Sequence, residues 1–367
     1  MILLFALSLV EISTKPFQLK FCSETITSFY KNKIWLILSI PFFIVLISGL
    51  WSDDLSYWLE RLRIRMPFLF LPLAFAGLPT FSKRQYLGLF YLLFILMIVS
   101  TLGVLINYAL HFDEMNLKMG MGQAIKTPIG HIRFSLLMAI SSISGILLYQ
   151  EKFTWRYTWE RSFLLLGSLF LFIAMHILSV RTGLGVLYAT ILILGFRHVL
   201  YSKRYVLGLV VGLFLAMLPY LAYQYIPSFK QKFNYSRYDL GQYQTGNGEN
   251  YSDAERIISI EAGLAIGKQH PFIGVGTGDV KMALDTFYQQ HYPTQLVKVP
   301  HNQFVMIYAE TGLLGVGLFC LSLFFPLFYK KKYRDPFFLT IHTILILSFL
   351  VESTIEIAVG TAIYAFL

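Results

Sequence analysis

Pro300-His-Asn-Gln-Phe-Val-Met-Ile-Tyr-Ala-Glu-Thr-Gly-Leu-Leu-Gly315 passes from polar chain into an apolar helix within a few residues. It closes the one long polar excursion of the sequence, which runs back through His270-Pro-Phe-Ile-Gly-Val-Gly-Thr-Gly278 to Ser252-Asp-Ala-Glu-Arg256. Around that excursion 56% of residues are hydrophobic and only 14% charged, too little charge to clothe a soluble domain. Apolar runs approach the roughly 20 residues of helix that cross a bilayer core. The chain therefore reads as all-α, a polytopic transmembrane helical bundle. One integral membrane domain covers residues 1–367, and the segment 227–302 forms a large loop between spans.

The runs read as spans cover 2–10, 34–50, 66–78, 86–110, 132–149, 162–180, 184–196, 205–226, 303–329 and 337–351, with half a span at 357–367. Those at 66–78 and 184–196 are short enough to be tilted, broken or buried in protein. The run at 1–10 has no charged n-region or cleavage site, so it does not read as a cleaved signal. Basic residues in short loops stay on the cytoplasmic side. Arg197, Lys203 and Arg204, then Lys330, Lys331, Lys332 and Arg334, flank the spans bordering 227–302 and so place that segment outside. Arg61, Arg63 and Arg65 also come out external, against the rule. Either a span is miscounted there or those arginines have an anionic partner. The net charge of +10 lies in these short clusters, with no basic segment interleaved with aromatics, which excludes nucleic acid as a partner. Cys22 and Cys320 imply no disulfide framework, and the eight histidines lack metal-ligand spacing.

Within 227–302, Tyr235, Tyr238, Tyr243, Tyr251, Phe272, Phe287, Tyr288 and Tyr292 fit a platform for sugar rings or an interfacial aromatic belt equally well. Ser252-Asp-Ala-Glu255 has the form of a capping box and predicts a helix over 253–268. Ile257, Ile260 and Leu264 would form its apolar face; Arg256, Ser259, Gly263 and Gly267 would share a second, narrow one. Arg256 then sits in the first turn, where free N–H groups and the helix dipole favour anions. Its guanidinium can hold phosphate oxygens bidentately or simply pair with Asp253 or Glu255. Gly274-Val-Gly-Thr-Gly278 lacks the spacing and βαβ setting of a dinucleotide loop and reads as tight turns, with a short amphipathic helix at 279–289 after it. His301, fixed at the mouth of a span, has the side chain suited to general-base work near neutrality. Glu310 inside the span is a functional candidate by default. Arg181-Thr-Gly183 interrupts an apolar run, and a helix break at Thr182-Gly183 would set Arg181 on the external surface. Gly130-His-Ile-Arg133 is a weaker candidate of the same kind.

Taken together, Ser179-Val-Arg-Thr-Gly183, Glu255-Arg256, His270-Pro-Phe-Ile-Gly-Val-Gly-Thr-Gly278 and His301-Asn302 leading into Glu310-Thr-Gly-Leu-Leu-Gly315 resemble the O-antigen ligase/polymerase superfamily of bacterial membrane glycosyltransferases. Leu50-Trp51-Ser52 and Gly130-His-Ile-Arg-Phe134 share its character. The resemblance implies about a dozen spans, with a large periplasmic loop holding amphipathic helices. It implies transfer of a glycan from an undecaprenyl-diphosphate carrier to an acceptor sugar hydroxyl, on lipid A–core or another glycan, at the periplasmic face of the inner membrane, with no metal and no cofactor. Arg181 and Arg256 would neutralise the diphosphate, His301 would act on the acceptor hydroxyl, and Gly276, Asn302, Glu310 and Arg133 would line the substrate site. A fixed cation for the leaving group and a proton acceptor for the hydroxyl are what such a transfer requires. An O-antigen or exopolysaccharide polymerase fits the same motifs. A lipid-linked sugar exporter fits less well, because no halves repeat and the polar residues lie outside the mid-membrane.

Overall fold

The structure, a computed structural model, describes residues 10–14, 17–21, 23–244 and 252–366. The expected span at 2–10, apart from Val10, lies outside the described residues, as do Cys22 and Tyr251. An antiparallel hairpin comes first, β1 (Val10–Thr14) with β2 (Phe17–Phe21), pairing Val10 with Phe21. Helices follow: α1 (Ser23–Lys31), α2 (Lys33–Leu38), α3 (Ile40–Ser48), α4 (Leu55–Arg65), α5 (Pro67–Gly77), α6 (Lys83–Leu110), α7 (Phe112–Gly120), α8 (His131–Gln150) and α9 (Glu160–Leu178). Then come α10 (Arg181–Ser202), α11 (Tyr205–Tyr225), α12 (Pro227–Gln244), α13 (Ser252–Gln269), α14 (Val280–His291), α15 (Gln303–Phe328), α16 (Pro336–Val351) and α17 (Ala358–Phe366). Among the described residues six helices are long and apolar enough to cross a membrane: α6, α8, α9, α10, Gly208–Tyr225 within α11, and α15 continued to Arg334. The protein is a helical membrane protein.

Several expected spans resolve differently. The run at 34–50 is two helices meeting at Ser39, because Pro41 has no N–H to continue the ladder and the Ser39 hydroxyl turns back to the Trp35 carbonyl (2.9 Å). The short span expected at 184–196 is the 22-residue α10, which begins at Arg181. The helix break falls at Ser179-Val180 rather than Thr182-Gly183. Ser179 adopts φ 53°, its hydroxyl donates to the His176 carbonyl (2.9 Å), and Ser228 donates to the Ile177 carbonyl (2.6 Å). Hydroxyls thus satisfy carbonyls that the interrupted ladder frees inside an apolar setting.

The chain packs as two compact units interleaved in sequence. One comprises Phe81–Ala254 and Arg334–Ser348. Its centre is α8, packed on α6, α9 and α10 through small residues. A Cβ on Gly145 would stand 2.2 Å from the Ser168 hydroxyl, and one on Gly183 would stand 2.3 Å from that of Ser135. Without a hydrophobic drive between helices in lipid, such close approach supplies the packing energy.

The other unit comprises Met1–Thr80, Glu255–Tyr333 and Phe349–Leu367. Here α15 packs on α2 and α3, and is broken at Gly312 (φ 65°, ψ −165°). The loop before α14 fills that break. Val275 and Gly276 N–H donate to the Ala309 and Glu310 carbonyls (3.0 and 2.9 Å), and Leu313 and Leu314 N–H donate to Pro271 and Phe272 (2.8 and 3.1 Å). Gly274 and Gly276 have positive φ, as the reading of tight turns expects. A Cβ on Gly274 would lie 2.3 Å from the Glu310 carbonyl carbon, so the motif's glycines serve close backbone approach to a membrane helix.

Candidate functional site

The narrow face of α13 organises the unit built on α15. Its glycines admit the segment ahead of α15: a Cβ on Gly263 would meet Pro300 (2.6 Å) and Val305 (2.7 Å), and one on Gly267 would meet the Tyr308 ring (2.3 Å). One turn nearer the start, the Ser259 hydroxyl accepts the His301 N–H (3.1 Å). Arg256 continues the same face. The apolar face expected at Ile257, Ile260 and Leu264 is not the buried one: Leu264 is exposed, and Ile258, Ala262 and Ile266 enter the core. The glycine face decides the rotation of the helix, because it alone lets two backbones approach.

At the end of that face three side chains converge. His301 Nδ1 lies 3.3 Å from Glu352 Oε2, and Arg256 Nη2 lies 3.9 Å from the same oxygen. Glu352 follows directly on α16 and is nearly buried, whereas the Arg256 side chain keeps 30% exposure and His301 22%. A carboxylate on Nδ1 of a histidine favours the tautomer that carries its proton there, which leaves the lone pair on Nε2. Glu352 has no place in the expected site. Its signal in the sequence is an acid at the end of an apolar run, Leu350-Val-Glu352, on the side to which charge bias assigns His301.

The following residues are tied to the same strip. Asn302 caps α15, accepting the Phe304 and Val305 N–H (2.9 and 3.1 Å) and donating to the Leu350 carbonyl (3.0 Å). Gln303, fully buried, donates to Glu356 (2.6 Å) and accepts from Ile355 N–H (3.1 Å). Glu356 is also the anionic partner of the arginines that broke the charge rule. Arg65 pairs with it at 2.5 Å, and Arg61 donates to its backbone carbonyl (2.8 Å). Burial pushes the Glu356 carboxyl up, but Arg65 and Arg61 more than offset this and hold it below the usual carboxylate range. Glu310 is buried behind the Gly312 break, with Oε1 lacking a hydrogen-bond partner. Gly276 sits against Ser52, whose hydroxyl accepts the Gly278 N–H (3.0 Å).

The α8 unit holds the remaining candidates. Arg181 opens α10 and is held bidentately by Asp253, Nη1 to Oδ2 at 2.6 Å and Nη2 to Oδ1 at 2.8 Å. The Ser236 hydroxyl bonds Arg181 and donates to Asp253 (2.6 Å). The capping box expected at Ser252 does not form that way. Ser252 lies inside α13, Glu255 faces Lys298 (3.6 Å), and buried Asp239 from α12 accepts the Asp253 and Ala254 N–H (2.7 and 3.2 Å). The helix start that the sequence offered to a phosphate is therefore occupied by the protein's own carboxylate. Arg133 is half-buried in the first turn of α8. Of the aromatic candidates, Tyr288 goes to the core and Phe272 stays exposed.

Residues 166–320 match the family model described as O-antigen ligase. That stretch is similar to the O-antigen ligase/polymerase superfamily, in line with the motifs of the sequence. The match includes Arg181, Arg256, His301, Asn302 and Glu310, and Glu352 lies beyond it. That match and the helical membrane fold support an O-antigen ligase/polymerase-type function. No curated protein matches the chain.

Proposed function

We propose that the protein is an O-antigen ligase-like glycosyltransferase of the bacterial inner membrane. It moves a glycan from an undecaprenyl-diphosphate carrier to a sugar hydroxyl of lipid A–core at the periplasmic face. The observation that carries this reading is the Arg256–Glu352–His301 cluster at the mouth of α15, beside a family match that contains two of its three members.

The chemistry divides among those groups. Glu352 holds the Nδ1 proton of His301, and Nε2 accepts the proton of the acceptor hydroxyl as its oxygen attacks the anomeric carbon. The bond from that carbon to the diphosphate oxygen breaks, and the carrier leaves as the diphosphate. Arg256 stabilises the charge that collects on the leaving oxygens, the work of a preorganised electrostatic partner. Arg181 is a second anion-binding arginine, placed in the α8 unit. With a fixed guanidinium supplying positive charge to the leaving group, transfer proceeds without a metal.

The test is transfer by the purified full chain, from lipid-linked glycan to lipid A–core, with and without a chelator. Chelator-insensitive transfer is the expected outcome; strict metal dependence removes the metal-free part of the reading. In a deletion strain, lipid A–core lacking polymer marks a lost ligase. A surface carrying a single repeat unit marks a lost polymerase and moves the assignment within the superfamily.

A further inference from the structure

His301 and Glu352 come from chain segments 51 residues apart, the entry to α15 and the turn after α16. Their 3.3 Å contact is bracketed on both sides. Before Glu352, the Leu350 carbonyl accepts from Asn302 Nδ2 (3.0 Å). After it, the 3-10 turn Thr354–Glu356 is gripped by Gln303. One side chain makes both bonds of that grip: Oε1 accepts the Ile355 N–H (3.1 Å), and Nε2 donates to Glu356 Oε1 (2.6 Å). Arg65 of α4 closes the turn from another direction. Its Nη2 lies 2.5 Å from Glu356 Oε1, and its Nη1 donates to the Ile355 carbonyl. Arg61, one turn earlier on α4, donates to the Glu356 carbonyl (2.8 Å). A buried ion pair is a weak source of stability, because desolvation offsets most of the attraction. What a forked guanidinium and a carboxamide supply is direction.

We propose that Gln303 is a positioning residue: with Arg65 and Glu356 it sets the seat of Glu352 against Nδ1 of His301. The proposal rests on the reading of His301 as general base with Glu352 as its partner, and it adds what holds the two in register. Gln303 follows His301 by two residues and Glu356 follows Glu352 by four, so the grip ties both segments just beyond their contact. Gln303, Arg65 and Glu356 are all buried, and they act through Glu352 rather than on substrate. A shift of that turn by about 1 Å would carry Glu352 out of hydrogen-bond reach of Nδ1, and misplacement on that scale can cost a reaction roughly 10²-fold. The place calls for a carboxamide. A glutamate there would set a second carboxylate against Glu356 and lose the donor, and a methionine would fill the volume with neither bond.

The experiment is a double-mutant cycle on the purified full chain, with undecaprenyl-diphosphate-linked glycan as donor and lipid A–core as acceptor. Gln303→Met is expected to lower kcat roughly tenfold to 10²-fold with donor KM within about twofold of wild type. In a Glu352→Ala background the same substitution is expected to cost less than about threefold, because the group it positions is gone. Arg65→Lys keeps the charge opposite Glu356 and gives up the fork, so a smaller loss with the same coupling is expected. A second readout does not depend on transfer. The tautomer of His301, read from imidazole nitrogen shifts and assigned by difference with His301→Gln, is expected to leave the Nδ1-protonated form in Gln303→Met and Glu352→Ala alike. Wild-type kcat in Gln303→Met, an equal loss with and without Glu352, or an unmoved tautomer in Gln303→Met alone makes the network a purely structural one and overturns the proposal. Should Gln303→Met fail to fold, the cycle between Arg65→Lys and Glu352→Ala decides by the same criterion. Wild-type kcat and tautomer in Glu352→Ala instead remove Glu352 from the site, and the reading beneath the proposal fails with it.

Discussion

Two arginines from the same family-matched stretch are held in opposite ways. In the α8 unit, Arg181 faces both oxygens of Asp253 at 2.6 and 2.8 Å, with Ser236 closing the group. In the α15 unit, Arg256 stands 3.9 Å from Glu352 and shares a single oxygen of it with His301 at 3.3 Å. A tight bidentate pair must be broken before its guanidinium can serve a ligand. A long, shared contact leaves most of the five arginine donors unspent and binds the cation to the same carboxylate as a base. The difference teaches how far each guanidinium is committed: Arg181 is engaged by a carboxylate of its own, whereas Arg256 shares one with His301.

The largest effect expected from that contrast belongs to His301. His301→Ala removes the proton acceptor and is expected to lower kcat by roughly 10²–10⁴-fold, the usual share of a general base, with donor KM little changed. Turnover close to wild type, measured in the purified transfer assay, breaks the comparison at once, because the α15 unit would then hold no reacting group. Next comes Arg256→Ala, expected to cost about 10²–10³-fold in kcat, as the loss of one charge-stabilising donor does. Arg181→Ala should instead act chiefly on donor KM. A mirror-image result, with kcat lost at Arg181 and KM raised at Arg256, reverses the two roles.

Legibility in the sequence followed the same division. The narrow face Arg256–Ser259–Gly263–Gly267 was readable because small residues at helical spacing admit a backbone whatever the tertiary context, and it delivers Arg256 to the strip holding His301. Arg61, Arg63 and Arg65 stood out against the charge rule, leaving a miscounted span or an anionic partner open, and Glu356 is such a partner for Arg65 and Arg61. What stayed hidden is pairing across long sequence separation. Asp239 at the start of α13, Asp253 on Arg181 and Glu352 on His301 are each ordinary acids until the chain folds. Local pattern also misjudged the break before α10, since a hydroxyl at Ser179 bonding back to His176 ends the helix without any glycine or proline at that position.

Glu352→Gln tests the smallest and most specific part of the comparison. The amide fills the same space and still accepts from Nδ1, so His301 keeps its orientation and Arg256 loses only a distant charge. What disappears is the negative charge beside Nδ1 that would stabilise positive charge developing on the ring during transfer. A fall in kcat of about tenfold is expected, with donor KM unchanged. Glu352→Ala should cost more, since it also releases the ring from its tautomer. A wild-type kcat in Glu352→Gln would make the carboxylate a packing group for α15 and detach its charge from His301.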